Sequence, residues 1–172
     1  LMALAIEGSA FAQAPSFSIT LTGQSMIRSD IREYAPAAVP VISSLLKGDV
    51  KFTNFESTIF EARKGQSPNE GRFLSAPEVL DALKTFGFNL LSLANNHSFD
   101  MKVPGIVNTL EQAKRLNLGH AGIGMGISEA VAPGYLRTDK GTVALIAMAS
   151  GLVEAGGSAT ESRPGVNELR VE

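Results

Sequence analysis

The stretch FNLLSLA, residues 88–94, constrains the fold more than any other part of the chain. It is apolar on consecutive residues, so a strand built from it needs apolar cover on both faces. Such strands belong to parallel sheets with helices packed on their faces, and the flanking segments supply the helices. Before it, PEVLDALKTFG sets Val79, Leu80, Leu83 and Phe86 at helical spacing, with an acidic first turn and Gly87 as the C-terminal cap. After it, Pro104 opens a helix with Ile106, Val107, Leu110, Ala113 and Leu116 on its inner face.

The rest of the chain repeats the alternation. In SFSITLTG, Phe17, Ile19 and Leu21 alternate with Ser and Thr, the period of a strand that ends at Gly23 and delivers Gln24 and Ser25 to its tip. A helix follows with Pro40 in its first turn, carrying Val41, Ile42, Leu45 and Leu46, and Gly48 stops it. DVKFTNFES is a second strand with Val50 and Phe52 on one face and Asn54 and Glu56 at its end. EARKGQSPNEGRFLS is polar and glycine-bearing, which predicts a surface excursion with NEGR as solvated loop. LGHAGIG predicts a short strand, GIGMG a tight turn before a short helix, and GYLRT and TVALIAMAS a hairpin around Asp139, Lys140 and Gly141. The sum is an α/β sandwich with a mainly parallel sheet.

Composition excludes several classes. With 172 residues, 44% of them hydrophobic, the chain can bury one sizeable core. A formal net charge of -2, with lysines and arginines scattered singly, provides no basic stripe for nucleic acid. There is no cysteine, hence no disulfide framework and no thiolate metal site. No apolar run approaches the roughly 20 residues of a membrane-spanning helix. Residues 1–14 read as the remnant of a signal peptide, with Ala10-Phe11-Ala12 as an A-x-A cleavage pattern, and the domain is expected over 15–172. The closing SGLVEAGGSATESRPGVNELRVE reads as a long loop without a terminating core element.

Three strands therefore end in polar groups: Gln24, then Asn54 and Glu56, then Asn95, Asn96 and His97. In open α/β sheets ligands collect beyond the carboxyl ends of the strands. Asp100 either accepts a hydrogen bond from His97 and sets its tautomer, or caps the next helix. His120, at the edge of an apolar segment, reads as structural.

DVKFTNFEST, FLSAPEVLDALKTFGFNLLSLANNHSFD, GIVNTLEQAKRLNLGHAGIGMGISEA and RPGVNELRV together resemble the bacterial capsule-synthesis CapA family, the poly-γ-glutamate biosynthesis proteins of the calcineurin-like metallophosphatase superfamily. The resemblance implies a metallophosphatase-like sandwich of which this chain holds the N-terminal part, in an exported protein that is periplasmic, extracellular or membrane-anchored. Any membrane association would lie in a segment preceding Leu1. It implies an anionic surface polymer or its synthase complex as partner. By the same resemblance, Glu56 and Asn96 are metal ligands and His97 is the general acid of a metal-assisted hydrolase or transferase; the strand ends add Asn54 and Asn95 to the cleft, and Asp100, where it pairs with His97, is its partner. Hard oxygen donors and imidazole suit Mn²⁺, Mg²⁺ or Zn²⁺. The chain departs from the family at Gly23-Gln24-Ser25-Met26, where the family writes G-D-x-M with a ligating aspartate. A neutral amide at Gln24 and only two histidines make the ligand set incomplete, which leaves a non-catalytic accessory protein as the alternative.

Overall fold

The computed structural model describes residues 16–150, 153 and 155–169, so the expected signal-peptide remnant lies outside the described residues. The first half runs β1 (Ile19–Ser25), α1 (Ile31–Tyr34), α2 (Ala38–Leu45), β2 (Val50–Phe55), β3 (Thr58–Ile59), β4 (Leu74–Ser75), α3 (Glu78–Phe86) and β5 (Leu90–Ser92). The second half runs α4 (Lys102–Arg115), β6 (Gly119–Ala121), β7 (Ile123–Gly124), α5 (Ile127–Ala130), β8 (Gly134–Thr138), β9 (Gly141–Leu145), β10 (Ala149–Ser150), β11 (Gly165–Val166) and β12 (Glu168–Leu169). The central sheet has the order β1-β2-β5-β6 and all its pairs are parallel. The fold is thus α/β with a mainly parallel sheet, as the apolar run of β5 requires.

Burial follows the helical spacing. Val79, Leu80, Leu83 and Phe86 of α3 and Ile106 and Leu110 of α4 join Phe55, Leu91 and Leu93 in one core. Leu91 is fully buried, a contribution of about 1.5–3 kcal/mol from area removed from water. Gly87 ends α3 in the left-handed region at φ 94°, where its amide returns to Leu83 and Lys84 carbonyls. On α4, Asn108 and Thr109 turn inward and clamp β3: Thr109 Oγ1 accepts from Ile59 N–H at 3.0 Å and Asn108 Nδ2 donates to Ile59 O at 3.1 Å.

Three expectations need correction. The first strand runs past Gly23 to Ser25, and its apolar alternation faces outward, with Ile19 46% and Leu21 72% exposed. The polar excursion 61–75 is not merely solvated: Glu61 and Leu74 are buried, and β4 pairs in parallel with β3. The C-terminal stretch does reach the core, because Val166 is fully buried and β11 pairs antiparallel with β7. Pro40 sits in the first turn of α2, as expected, and Pro104 is the third residue of α4 rather than its first.

Candidate functional site

The central sheet aligns its strand tips. Gln24 is in register with Asn54, Asn54 with Ser92, and Ser92 with Ala121. Reaching that line requires a β-bulge in β1 between Leu21 and Gln24, bridged by Thr53 Oγ1, which donates to Gly23 O at 2.9 Å. Leu21 pairs with Phe52 and Gln24 with Asn54, so the bulge brings Gln24 onto the sheet face that Leu21 occupies. Past the tips, Glu56 N–H donates to Ser25 O at 3.2 Å and ties the two chain exits together.

A polar network then joins β2 to the turn after β5. Asn54 Nδ2 donates to Glu56 Oε2 at 3.1 Å, and Asn95 Nδ2 donates to Asn54 Oδ1 at 3.2 Å and to Phe55 O at 2.9 Å. Asn95 Oδ1 in turn accepts from His97 N–H at 3.0 Å, and Ser98 Oγ accepts from Asn95 N–H at 2.9 Å. Every polar atom of the Asn95 side chain is thereby used to hold the turn that carries His97. Asn96 is half-buried, and its side chain has no hydrogen-bond partner among the described residues.

Asp100 decides between its two expected roles. The N-cap of α4 is Met101, and no side chain caps that helix. The Asp100 carboxylate instead accepts from His97 Nδ1 at 2.7 Å, from Phe73 N–H at 2.7 Å and from Arg72 Nε at 3.3 Å, with its own side chain fully buried. A carboxylate offers only acceptor atoms, so Nδ1 carries the proton in the neutral ring and Nε2 is left with the lone pair. The His97 side chain is 17% exposed, enough for Nε2 to meet a ligand.

The structure brings Asn54, Glu56 and Asn95 together, joins His97 to Asp100, and links the two groups through Asn95. Gln24 sits beside Asn54 in register, but its amide donates to Met26 Sδ at 3.4 Å and makes no contact with Glu56. His120 is away from this set, its Nδ1 on Leu118 O at 2.7 Å. Sequence reasoning missed Arg72 and Phe73, which belong to the stretch expected to be solvated loop, and Arg28. Gly71 is the readable trace of that contact: a Cβ there would stand 2.6 Å from Asp100 O and 2.7 Å from Leu74 Cδ2, so only glycine lets the loop close on Asp100. A separate depression of about 440 Å³, lined by Glu61, Arg63, Asp81 and Arg115 among others, is occupied with internal ion pairs, Arg63 with Glu61 and Arg115 with Asp81.

In kind, the donors at the strand tips suit a hard divalent cation. In number they do not fit one: Asp100 is taken up by His97, Phe73 and Arg72, and among the described residues no three His, Asp or Glu side chains gather in ligating geometry.

The α/β fold with its mainly parallel sheet is metallophosphatase-like, the fold of the family that its sequence matches. Residues 18–171 match the family of bacterial capsule synthesis protein PGA_cap, and the chain belongs to that family. It is 32% identical over 168 residues to the uncharacterized protein y4sH of Sinorhizobium fredii, covering 91% of this chain and 36% of that one. It is 30% identical over 128 residues to the capsule biosynthesis protein CapA of Bacillus anthracis, covering 72% and 31% respectively. The PGA biosynthesis protein CapA of Bacillus subtilis is 32% identical over 78 residues, covering 45% and 20%. The chain thus spans about a third or less of the length of these relatives.

Proposed function

We propose that the chain carries the proton-transfer part of a metallophosphatase-like site in an exported protein of capsule or poly-γ-glutamate synthesis, acting by hydrolysis or transfer at a phosphoryl or similar ester centre. The observation behind this reading is the His97–Asp100 contact of 2.7 Å, which holds the ring with Nε2 free at the end of a parallel strand. In its protonated form, Nε2 donates to the leaving oxygen, and the Asp100 carboxylate offsets the imidazolium charge and keeps the ring from turning. Asn95 fixes the backbone of His97, so the ring arrives at the ester already oriented. Glu56 and Asn96 are the oxygen donors that this chain would offer to a divalent ion such as Mn²⁺, Mg²⁺ or Zn²⁺, whose chemistry would be charge stabilisation at the ester oxygens. One carboxylate does not complete such a centre.

Export rests on the capsule-related names of the relatives; among the described residues no helix is long and apolar enough to cross a membrane. The test of the site is His97→Asn in the full-length protein, assayed on a generic phosphate ester. Loss of a positioned proton donor lowers turnover by roughly 10²–10⁴. Unchanged turnover removes His97 from the mechanism. A second reading, an accessory protein that holds an anionic polymer or a synthase partner in the same cleft, is favoured by Gln24, which puts a neutral amide at the first strand tip.

A further inference from the structure

The loop that reaches Asp100 also organises an arginine on the aromatic ring that packs against His97. Arg28 leaves the tip of β1 in a segment pinned to β4, where Ser75 Oγ donates to Ile27 O and Ala76 N–H donates to Arg28 O at 3.4 Å. Its guanidinium lies over the Phe73 ring, 4.3 Å from the centroid, and one Nη donates to Arg72 O at 3.0 Å. The Phe73 ring stands against the His97 ring with centroids 5.6 Å apart and planes tilted by 50°. Phe73 is therefore the common support of an imidazole and a guanidinium.

The two arginines of this rim differ in what balances them. Arg72 has Asp100, which its Nη2 meets at 3.3 Å. Arg28 has no carboxylate within ion-pair distance among the described residues, and it spends one N–H on a carbonyl. An exposed arginine normally swings through many rotamers, and fixing its fork is part of the cost of binding an anion. Stacked on Phe73 and bonded to the Arg72 carbonyl, Arg28 is already fixed, with its remaining donors available for the planar, two-point grip that suits an oxyanion.

We propose that Arg28, braced by Phe73, is the oxyanion-binding residue of the His97 site and takes a non-bridging oxygen of a phosphoryl ester. The inference rests on the phosphoesterase reading of that site. It assigns Arg28 to ground-state affinity and leaves proton donation to His97, so the two residues separate in experiment.

The test is titration of the full-length protein with inorganic phosphate, followed by calorimetry, alongside turnover of a phosphate ester. Arg28→Gln discards the charge and the fork, with urea unfolding to show that the fold is kept; Arg28→Lys keeps the charge and loses the fork. We expect Arg28→Gln to weaken phosphate binding by at least about tenfold, or 1.4 kcal/mol, and to raise KM with little change in kcat. Arg28→Lys recovers part of that loss. Wild-type phosphate affinity in Arg28→Gln, or no wild-type binding at about 10 mM phosphate, overturns the inference. Tighter wild-type binding of glutarate than of phosphate overturns the choice of a phosphoryl ligand. Absence of phosphate-ester turnover in the wild type instead overturns the phosphoesterase reading, full turnover in His97→Asn removes His97 from the mechanism, and the phosphate titration is independent of both results.

Discussion

Replacing Asp100 by asparagine removes one charge without opening a cavity, and three donors then compete for a single amide oxygen. Asp100 Oδ2 serves both Phe73 N–H and His97 Nδ1 at 2.7 Å, while Oδ1 faces Arg72 at 3.3 Å. If the amide nitrogen took the place of Oδ2, the Phe73 N–H would be left buried without an acceptor, at a cost of about 1–3 kcal/mol. The amide oxygen should therefore occupy that place, and its NH₂ should face Arg72, which is 64% exposed and can turn to water. Two charge-assisted bonds become neutral ones, a loss of about 1 kcal/mol each, and the exposed Arg72 contact adds less than about 0.5 kcal/mol. Asp100→Asn should thus destabilise by about 2 kcal/mol, and Asp100→Ala, which leaves Phe73 N–H unpaired and removes packing, by about 3 kcal/mol or more. Urea unfolding measures both. Nitrogen-15 spectra of the His97 ring should show the Nδ1–H tautomer retained in Asp100→Asn, because the amide oxygen still accepts from it. Asp100→Asn as stable as wild type within about 0.5 kcal/mol would show that the carboxylate is not what holds the turn. A switch to the Nε2–H tautomer would show that the amide nitrogen faces the ring, against the placement argued here.

Two further predictions concern β1. The Asp49 carboxylate, held at about 2 by the Ser18 N–H first and then by the Lys140 ammonium and the Ser18 hydroxyl, links β1 to the β8–β9 turn. Its folded value lies below its ordinary one, so its contribution is complete above about pH 5 and is lost as pH falls through about 2; the stability gap between wild type and Asp49→Asn should be constant above pH 5 and vanish near pH 2, and a gap unchanged at low pH would refute the link. Gln24→Asp in the full-length protein should raise Mn²⁺ affinity by at least about tenfold, with Gln24→Asn doing much less, since affinity follows ligand charge; equal affinity for wild type and Gln24→Asp would place position 24 outside the site.

What was legible in the sequence is what depends on neighbours in the chain. The consecutive apolar residues of β5 and the helical spacing of α3 and α4 report burial directly, because period and face are local properties. The His97–Asp100 pair, three residues apart on one turn, was legible as one of two readings, and the sequence alone did not choose between it and a helix cap. Phe73 N–H, the second donor on Asp100, comes from 27 residues away in a loop whose composition suggests only solvent. Loops carry no period, so nothing in NEGRF distinguishes an arginine that closes on a buried carboxylate from one in water. Gly71 alone hints at a close approach, and it does not say to what.

The bulge in β1 shows a different limit. Counting alternation from Ile19 and Leu21 sets Gln24 with Thr20 and Thr22, on the opposite face of the strand from Leu21. The pairing says otherwise: Leu21 opposite Phe52 and Gln24 opposite Asn54 put three residues of β1 against two steps of β2, and one extra residue exchanges the faces beyond it. Gln24 then shares a face with Asn54, the residue that donates to Glu56. Whether position 24 meets Glu56 is thus decided by a backbone irregularity that Thr53 stabilises from the neighbouring strand, through a hydroxyl bonded to Gly23 O. Thr53 is fully buried and shares that contact with Ser25 Oγ at 2.7 Å. A polar residue on a central strand, read alone, looks like a weak point in the core; here it is the part that sets which face of β1 Gln24 occupies.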